Sequence, residues 1–137
     1  YLAGVVDMAV DLSMPVLVVD DYKTMVRIIQ NLLKSLGFTD VHAATSGEEA
    51  LQKMAENRYG LVISDWAMEP MSGFDLLLKV RAYQDEDQKA TPFIMVTAES
   101  KTENVVAAKR AGVNNYIVKP FNAQTLKQKI SAVLGDF

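Results

Sequence analysis

The chain has 137 residues, half of them hydrophobic and 23% charged, with a net charge of −3 and an isoelectric point near 5.1. That fits one domain with a proper core, argues against the basic face of a nucleic-acid binder, and, with no cysteine, excludes disulfides, thiolate metal sites and sulfur redox chemistry. No apolar run approaches the ~18 residues of a membrane-spanning helix, and YLAGVVDMAVDLS lacks the cationic start of a signal peptide, so a cytoplasmic chain with neither nucleic acid nor membrane as partner is expected.

Residues 1–13 are set apart as an N-terminal tail, expected to be in part non-native because the chain opens on Tyr1 rather than Met; Met8 and Met14 are both candidate starts. From residue 14 on, apolar strand-like runs alternate with helical patterns. PVLVV (15–19) predicts a strand buried on both faces, and it ends on two adjacent acids, Asp20 and Asp21. Met25, Ile28, Ile29, Leu32, Leu33 and Leu36 then mark one face of a 3.6-residue period, stopped by Gly37. VHAA (41–44) is the second strand. SGEEALQKMAEN (46–57) predicts a helix opened by a capping box, Ser46 with Glu49 three residues on. GLVIS (60–64) is the third strand, with Asp65 at its end, and GFDLLLKVRAY (73–83) is a third helix. The polar QDEDQKAT (84–91) predicts a solvated, mobile loop. FIMVT (93–97) is the fourth strand, and TENVVAAKRAG (102–112) a helix ended by Gly112. The strand NYIV (115–118) leads to a last helix over 122–135, capped by Asn122, with Leu126, Ile130, Val133 and Leu134 turned inward.

Strict alternation with near-continuous apolar strands predicts an α/β fold, a five-stranded parallel sheet of order 2-1-3-4-5 with helices on both faces, as in flavodoxin. The carboxyl ends of such strands share one edge, and ligands bind there. Asp20 and Asp21, Asp65, Thr97 and Lys119 end four of the five strands and therefore converge. The second strand brings no such group, which suits an outer position. Two carboxylates about 4 Å apart repel by roughly 4 kcal/mol at an effective dielectric near 20, and Lys119 alone cannot offset three. Mg²⁺ can, and it characteristically takes a few carboxylates, waters and a phosphate oxygen. Thr97 adds a hydroxyl and Lys119 a point charge for a phosphoryl group, whose transfer needs chiefly positioning and charge neutralisation. Taken singly these signals are weak, since Asp is a common turn residue and helix cap. Jointly, four polar insertions at the ends of four buried strands point to a site.

At these residues the sequence resembles the receiver domain of two-component response regulators, and within it the CheY-like single-domain chemotaxis regulators. The motifs are VLVVDD, ISDWAMEPMSGFDLL, MVTAE and NNYIVKPF, over about residues 14–137. The resemblance implies that Asp65 takes a phosphoryl group from a histidine kinase's phosphohistidine. It implies that Asp20, Asp21, Asp65 and the Ala67 carbonyl hold Mg²⁺, and that Lys119, before a cis bond to Pro120, pairs with the phosphoryl group. Thr97 and Tyr116 are then the switch. The surface they control is the fourth helix, fifth strand and fifth helix, carrying Lys109, Tyr116, Lys127 and Lys129. The flagellar motor switch protein, or another protein, is the implied partner of a monomer. Only 18 residues follow Lys119, so the output is expected to come from that partner and not from an attached domain.

Several of these residues also have plain structural readings. Tyr116 alone reads as a half-buried edge aromatic, Lys127 and Lys129 as a solvated helix face, and the methionines as core filler. His42, the only histidine, cannot belong to a histidine metal cluster. The chain departs from the family pattern twice. Ala67 stands two residues after Asp65, where many receivers carry a polar side chain, and an altered dephosphorylation rate is expected. MEPMSG sets Pro70 one residue late and puts Glu69 at the lip of the site. A Mg²⁺-dependent phosphohydrolase would want an acid/base Asp where Ala67 stands. A flavodoxin-like cofactor binder would want a Gly- or Thr-rich phosphate loop after the first strand, which is missing here.

Overall fold

The computed structural model describes residues 10–98 and 101–137; Met8 and the Glu99 of MVTAE lie outside these. The elements are β1 (Val16–Val19), α1 (Lys23–Ser35), β2 (Val41–Ala44), α2 (Gly47–Glu56), β3 (Leu61–Asp65), α3 (Gly73–Arg81), β4 (Phe93–Thr97), α4 (Thr102–Ala111), β5 (Asn115–Val118) and α5 (Ala123–Leu134). All strand pairs are parallel and the order is β2-β1-β3-β4-β5, as expected from the alternation.

The sheet is buried on both faces because alternate side chains of the same aliphatic runs feed two cores. Val16, Val18, Ile63, Ile94 and Ile117 meet α1 and α5 through Ile29, Leu33, Leu126 and Ile130. Leu17, Val19, Val62, Phe93 and Met95 meet α2 and α3 through Met54, Leu76, Leu77 and Val80. Each such side chain, fully withdrawn from water, contributes about 1.5–3 kcal/mol. Val10, Leu12 and Met14 also pack against the first core, and the Thr39 amide donates to the Leu12 carbonyl. Met54, Met68 and Met95 are buried, in keeping with their reading as filler. Among the described residues, no helix is long and apolar enough to cross a membrane.

Gly112 closes α4 in the left-handed conformation at φ 98°, and Gly37 follows α1 at φ 108°, as terminators whose missing Cβ makes that backbone cheap. Three local expectations differ from the structure. The Ser46 hydroxyl does cap α2 by accepting from the Glu49 amide, but the Glu49 carboxylate accepts from the Thr45 amide, one residue before the cap. The reciprocal capping box lies instead at Ser72 and Asp75, opening α3. That helix ends at Arg81, two residues early, because the chain tightens into Ala82 N–H to Lys79 and Tyr83 N–H to Val80 bonds. Finally, 84–91 is no open loop. Glu86–Lys89 form a helical turn capped by Asp85, with the Gln88 side-chain Nε2 donating to the Met54 carbonyl and Arg58 gripping Asp85 at 2.9 Å.

Candidate functional site

Parallel pairing sets the site. Val19 lies beside Ser64, Asp65 beside Val96 and Thr97 beside Val118, so Asp20, Asp65, Thr97 and Lys119 leave the sheet at one edge. The backbone continues the ladder past the strand ends: Asp20 N–H donates to Ala44, Trp66 N–H to Val96, and Lys119 N–H to Thr97 at 2.7 Å. Side chains at these ends are thus held by backbone bonds as well as by packing.

Asp20, Asp21 and Asp65 each offer a carboxylate oxygen, and the three oxygens lie within 4.8 Å of one another. Asp20 is 1% exposed and Asp65 7%, while Asp21 is open to solvent. The Lys119 ammonium stands 3.0 Å from Asp65 Oδ1 and 3.6 Å from Asp20 Oδ2. Asp20 Oδ1 accepts from the Tyr22 amide at 2.9 Å, but Oδ2 is buried with no hydrogen-bond partner among the described residues. Burial pushes the Asp20 carboxyl above the ordinary range; the Tyr22 amide and Lys119 oppose this, and the Asp65 and Asp21 charges add to it. A buried, repelled oxygen without a donor is costly. Three hard oxygen ligands around such an atom fit a hard divalent cation, and the site is chemically suited to one.

Of the remaining expected residues, Ala67 is exposed at the lip two residues past Asp65, with Glu69 and Pro70 also exposed. Thr97 is half-buried at the end of β4, and Tyr116 half-buried on β5 with its ring 6.3 Å from that of Trp66. The Lys119–Pro120 bond is cis, as the resemblance implied, and Glu69–Pro70 is cis as well. Lys109 and Lys127 are exposed and Lys129 half-buried; Lys127 lies over the Phe137 ring at 5.4 Å. Val105, Lys109, Val113, Asn114, Asn115 and Tyr116 line a cleft of about 70 Å³ between α4 and β5.

The response regulator receiver domain model matches residues 16–131. The chain belongs to that family. This receiver is similar to chemotaxis protein CheY of Pseudomonas aeruginosa, with 48% identity over 120 residues, 88% of this chain and 95% of that protein. Its fold is similar to the crystal structure of Vibrio cholerae chemotaxis protein CheY4, with a TM-score of 0.82 at 34% identity, covering 89% of this chain and 99% of that one. The receiver domain of a Pseudomonas aeruginosa sensor histidine kinase superposes with a TM-score of 0.79 at 25% identity over 90% of this chain and 99% of its own, and it carries a magnesium ion coordinated in its active-site cleft. The order 2-1-3-4-5 is itself the one for which CheY is a standard example.

Two features of this receiver's site, and one contact at the opposite edge of the sheet, escaped the sequence reading. Gly73 opens α3 against the end of β3, and a Cβ there would overlap the Asp65 carbonyl oxygen and crowd the Met95 sulfur. Phe74 stacks on Trp66 with centroids 5.3 Å apart. Arg81 donates to the carbonyls of Lys89, Thr91 and Gly112 and to Asn114 Oδ1, tying α3 to the loops around β4 and α4. The Gly73 signal was present in the sequence, a glycine directly behind the helix-capping Ser72. The other two are side-chain contacts that local periodicity does not encode, Phe74 folding back onto Trp66 across the Ser72 cap and Arg81 reaching as far as Asn114.

Proposed function

We propose that this receiver is a chemotaxis response regulator phosphorylated on Asp65 by a histidine kinase. The observation that carries the proposal is the Lys119 ammonium 3.0 Å from an Asp65 oxygen, beside the orphaned Asp20 Oδ2. An Asp65 carboxylate oxygen attacks phosphorus of the donor's phosphohistidine. The O–P bond forms as the N–P bond breaks, and the imidazole leaves with its electron pair and takes up a proton from water. Lys119, already against Asp65, moves its charge onto a phosphoryl oxygen. Asp20, Asp21, Asp65 and the Ala67 carbonyl would hold Mg²⁺, which supplies charge neutralisation for the phosphoryl oxygens.

The acyl phosphate adds charge at the sheet edge, and Thr97 and Tyr116 follow it as the switch. The α4–β5–α5 face, with its cleft at Tyr116 and its lysines, then changes affinity for a partner, for which the flagellar motor switch protein is the proposed choice. The receiver unit is taken as 14–137 with the preceding residues as a tail, working as a cytoplasmic monomer that catalyses only its own phosphorylation and dephosphorylation. Trp66, next to Asp65, tests the reading. Its fluorescence changes on adding Mg²⁺ and again on adding acetyl phosphate; a missing phosphodonor response, or one that survives in Asp65→Asn, sinks it. Multiple turnover of a sugar phosphate points instead to a hydrolase.

A further inference from the structure

Three rings cross the functional edge: Phe74 at the start of α3, Trp66 beside Asp65, and Tyr116 on β5. Phe74 and Trp66 are stacked, 5.3 Å apart at 26°. Trp66 and Tyr116 meet edge to face, 6.3 Å apart at 69°. These are two favourable geometries for aromatic pairs, and they place Trp66 between the other two rings.

What fixes Phe74 is its neighbour. The Gly73 amide donates to the Trp66 carbonyl at 2.9 Å, and Gly73 lies so close to the Asp65 carbonyl that a Cβ would overlap it. The first turn of α3 therefore rests on the backbone of the two residues 65 and 66. Any displacement of that backbone is passed to Gly73 and from it to the adjacent Phe74. Trp66 is moved from both sides, by its own backbone and by the ring stacked on it.

We infer that Phe74 is a positioning residue of the switch: seated by Gly73 on the Asp65 backbone, it holds Trp66 against Tyr116 and so carries the state of Asp65 to the α4–β5–α5 face. This rests on the receiver reading and adds to it a route through α3, alongside the one through Thr97. With the ring absent, Trp66 loses the surface that fixes its plane, and Tyr116 loses a defined neighbour. Phosphorylation at Asp65 then proceeds while Tyr116 responds less.

The test uses the full chain labelled with 3-fluorotyrosine. It has five tyrosines, and Tyr116→Phe assigns the resonance of Tyr116. Acetyl phosphate and Mg²⁺ are added, phosphoryl occupancy is read by intact mass, and melting is recorded for each variant. In the unaltered chain the Tyr116 resonance moves with occupancy. In Phe74→Leu at matched occupancy the movement falls to about half or less, because an aromatic pair of this kind biases a two-state equilibrium by about 2- to 10-fold. Phe74→Tyr keeps the ring and restores the movement. Trp66→Phe, a second variant, weakens the response as Phe74→Leu does. Equal movement in Phe74→Leu and the unaltered chain, or a loss that tracks melting temperature and is not restored by Phe74→Tyr, overturns the inference. If the unaltered chain takes up no phosphoryl group, the receiver reading falls and this inference falls with it.

Discussion

Asp20→Asn should make the metal-free protein more stable. Asp20, Asp21 and Asp65 present oxygens within 4.8 Å of one another, so each pair repels by about 3.5 kcal/mol or more at an effective dielectric of 20. The exposed Asp21 counts for less. Lys119, 3.6 Å from Asp20, returns about 5 kcal/mol on the same scale, so attraction and repulsion at Asp20 nearly cancel. What remains is the cost of keeping an ion at 1% exposure, several kcal/mol against about 1–3 kcal/mol for a buried amide. An asparagine keeps the acceptor for the Tyr22 amide and removes the buried charge. The expected gain is about 2 kcal/mol, which for 137 residues raises the melting temperature by about 7 °C.

Thermal unfolding in EDTA and in Mg²⁺ reads this out. At ten times its dissociation constant, Mg²⁺ stabilises the unaltered chain by about 1.4 kcal/mol, and the Asn variant loses most of that response. The pH dependence has a definite sign. Burial chiefly holds the folded Asp20 carboxyl above its ordinary value near 3.8, so the folded state binds the proton more tightly than the unfolded one. The stability this confers is complete below the unfolded value and is lost as pH rises through the folded one. The advantage of Asp20→Asn is therefore largest at neutral pH and shrinks on acidification. An Asn variant that melts in EDTA at or below the unaltered chain refutes the reasoning.

Lys119→Met leaves two buried carboxylates without their cation and should cost about 2 kcal/mol in EDTA, discounted from the fully buried case for the partial exposure of Lys119; urea unfolding measures it, and added Mg²⁺ recovers part. Gly73→Ala forces a Cβ onto the Asp65 carbonyl and should destabilise by about 1–3 kcal/mol, with slower phosphoryl uptake from acetyl phosphate. Ala67→Asn places a hydrogen-bonding side chain at the lip and should change the rate of acyl-phosphate decay, followed by mass after donor removal; an unchanged rate counts against a role for this position. The Arg58 hydrogen bonds hold the Asp85 carboxyl down at about 2, so in Arg58→Ala its carbon-13 titration moves up toward 3.8 without reaching it, because the Gln88 and Asp87 amides still donate.

The strands were legible because buried parallel strands are written as short aliphatic runs, and the acids and Lys119 stood out as polar groups at the ends of those runs. Asp65, expected to end the third strand, is the last residue of β3. Less was visible where tertiary contacts decide. The segment 84–91 has no apolar period, and its helical turn is held by Asp85, Arg58 and the bond from Gln88 to Met54. His42 was set aside only as a metal ligand, and its ring lies between Asp40 and Tyr59 at 2.7 Å from each, a contact the sequence does not announce. The Phe74–Trp66–Tyr116 arrangement depends on where α3 starts relative to β5, which local periodicity does not encode.

The central claim is that Asp65 accepts the phosphoryl group, and locating that group tests it most directly. The chain is incubated with acetyl phosphate and Mg²⁺, digested under acid, and mapped by mass. The account predicts one phosphoryl group, on the peptide containing Asp65, released by hydroxylamine as an acyl phosphate is, and absent without Mg²⁺. A group found elsewhere, or uptake that persists in Asp65→Asn, would contradict it.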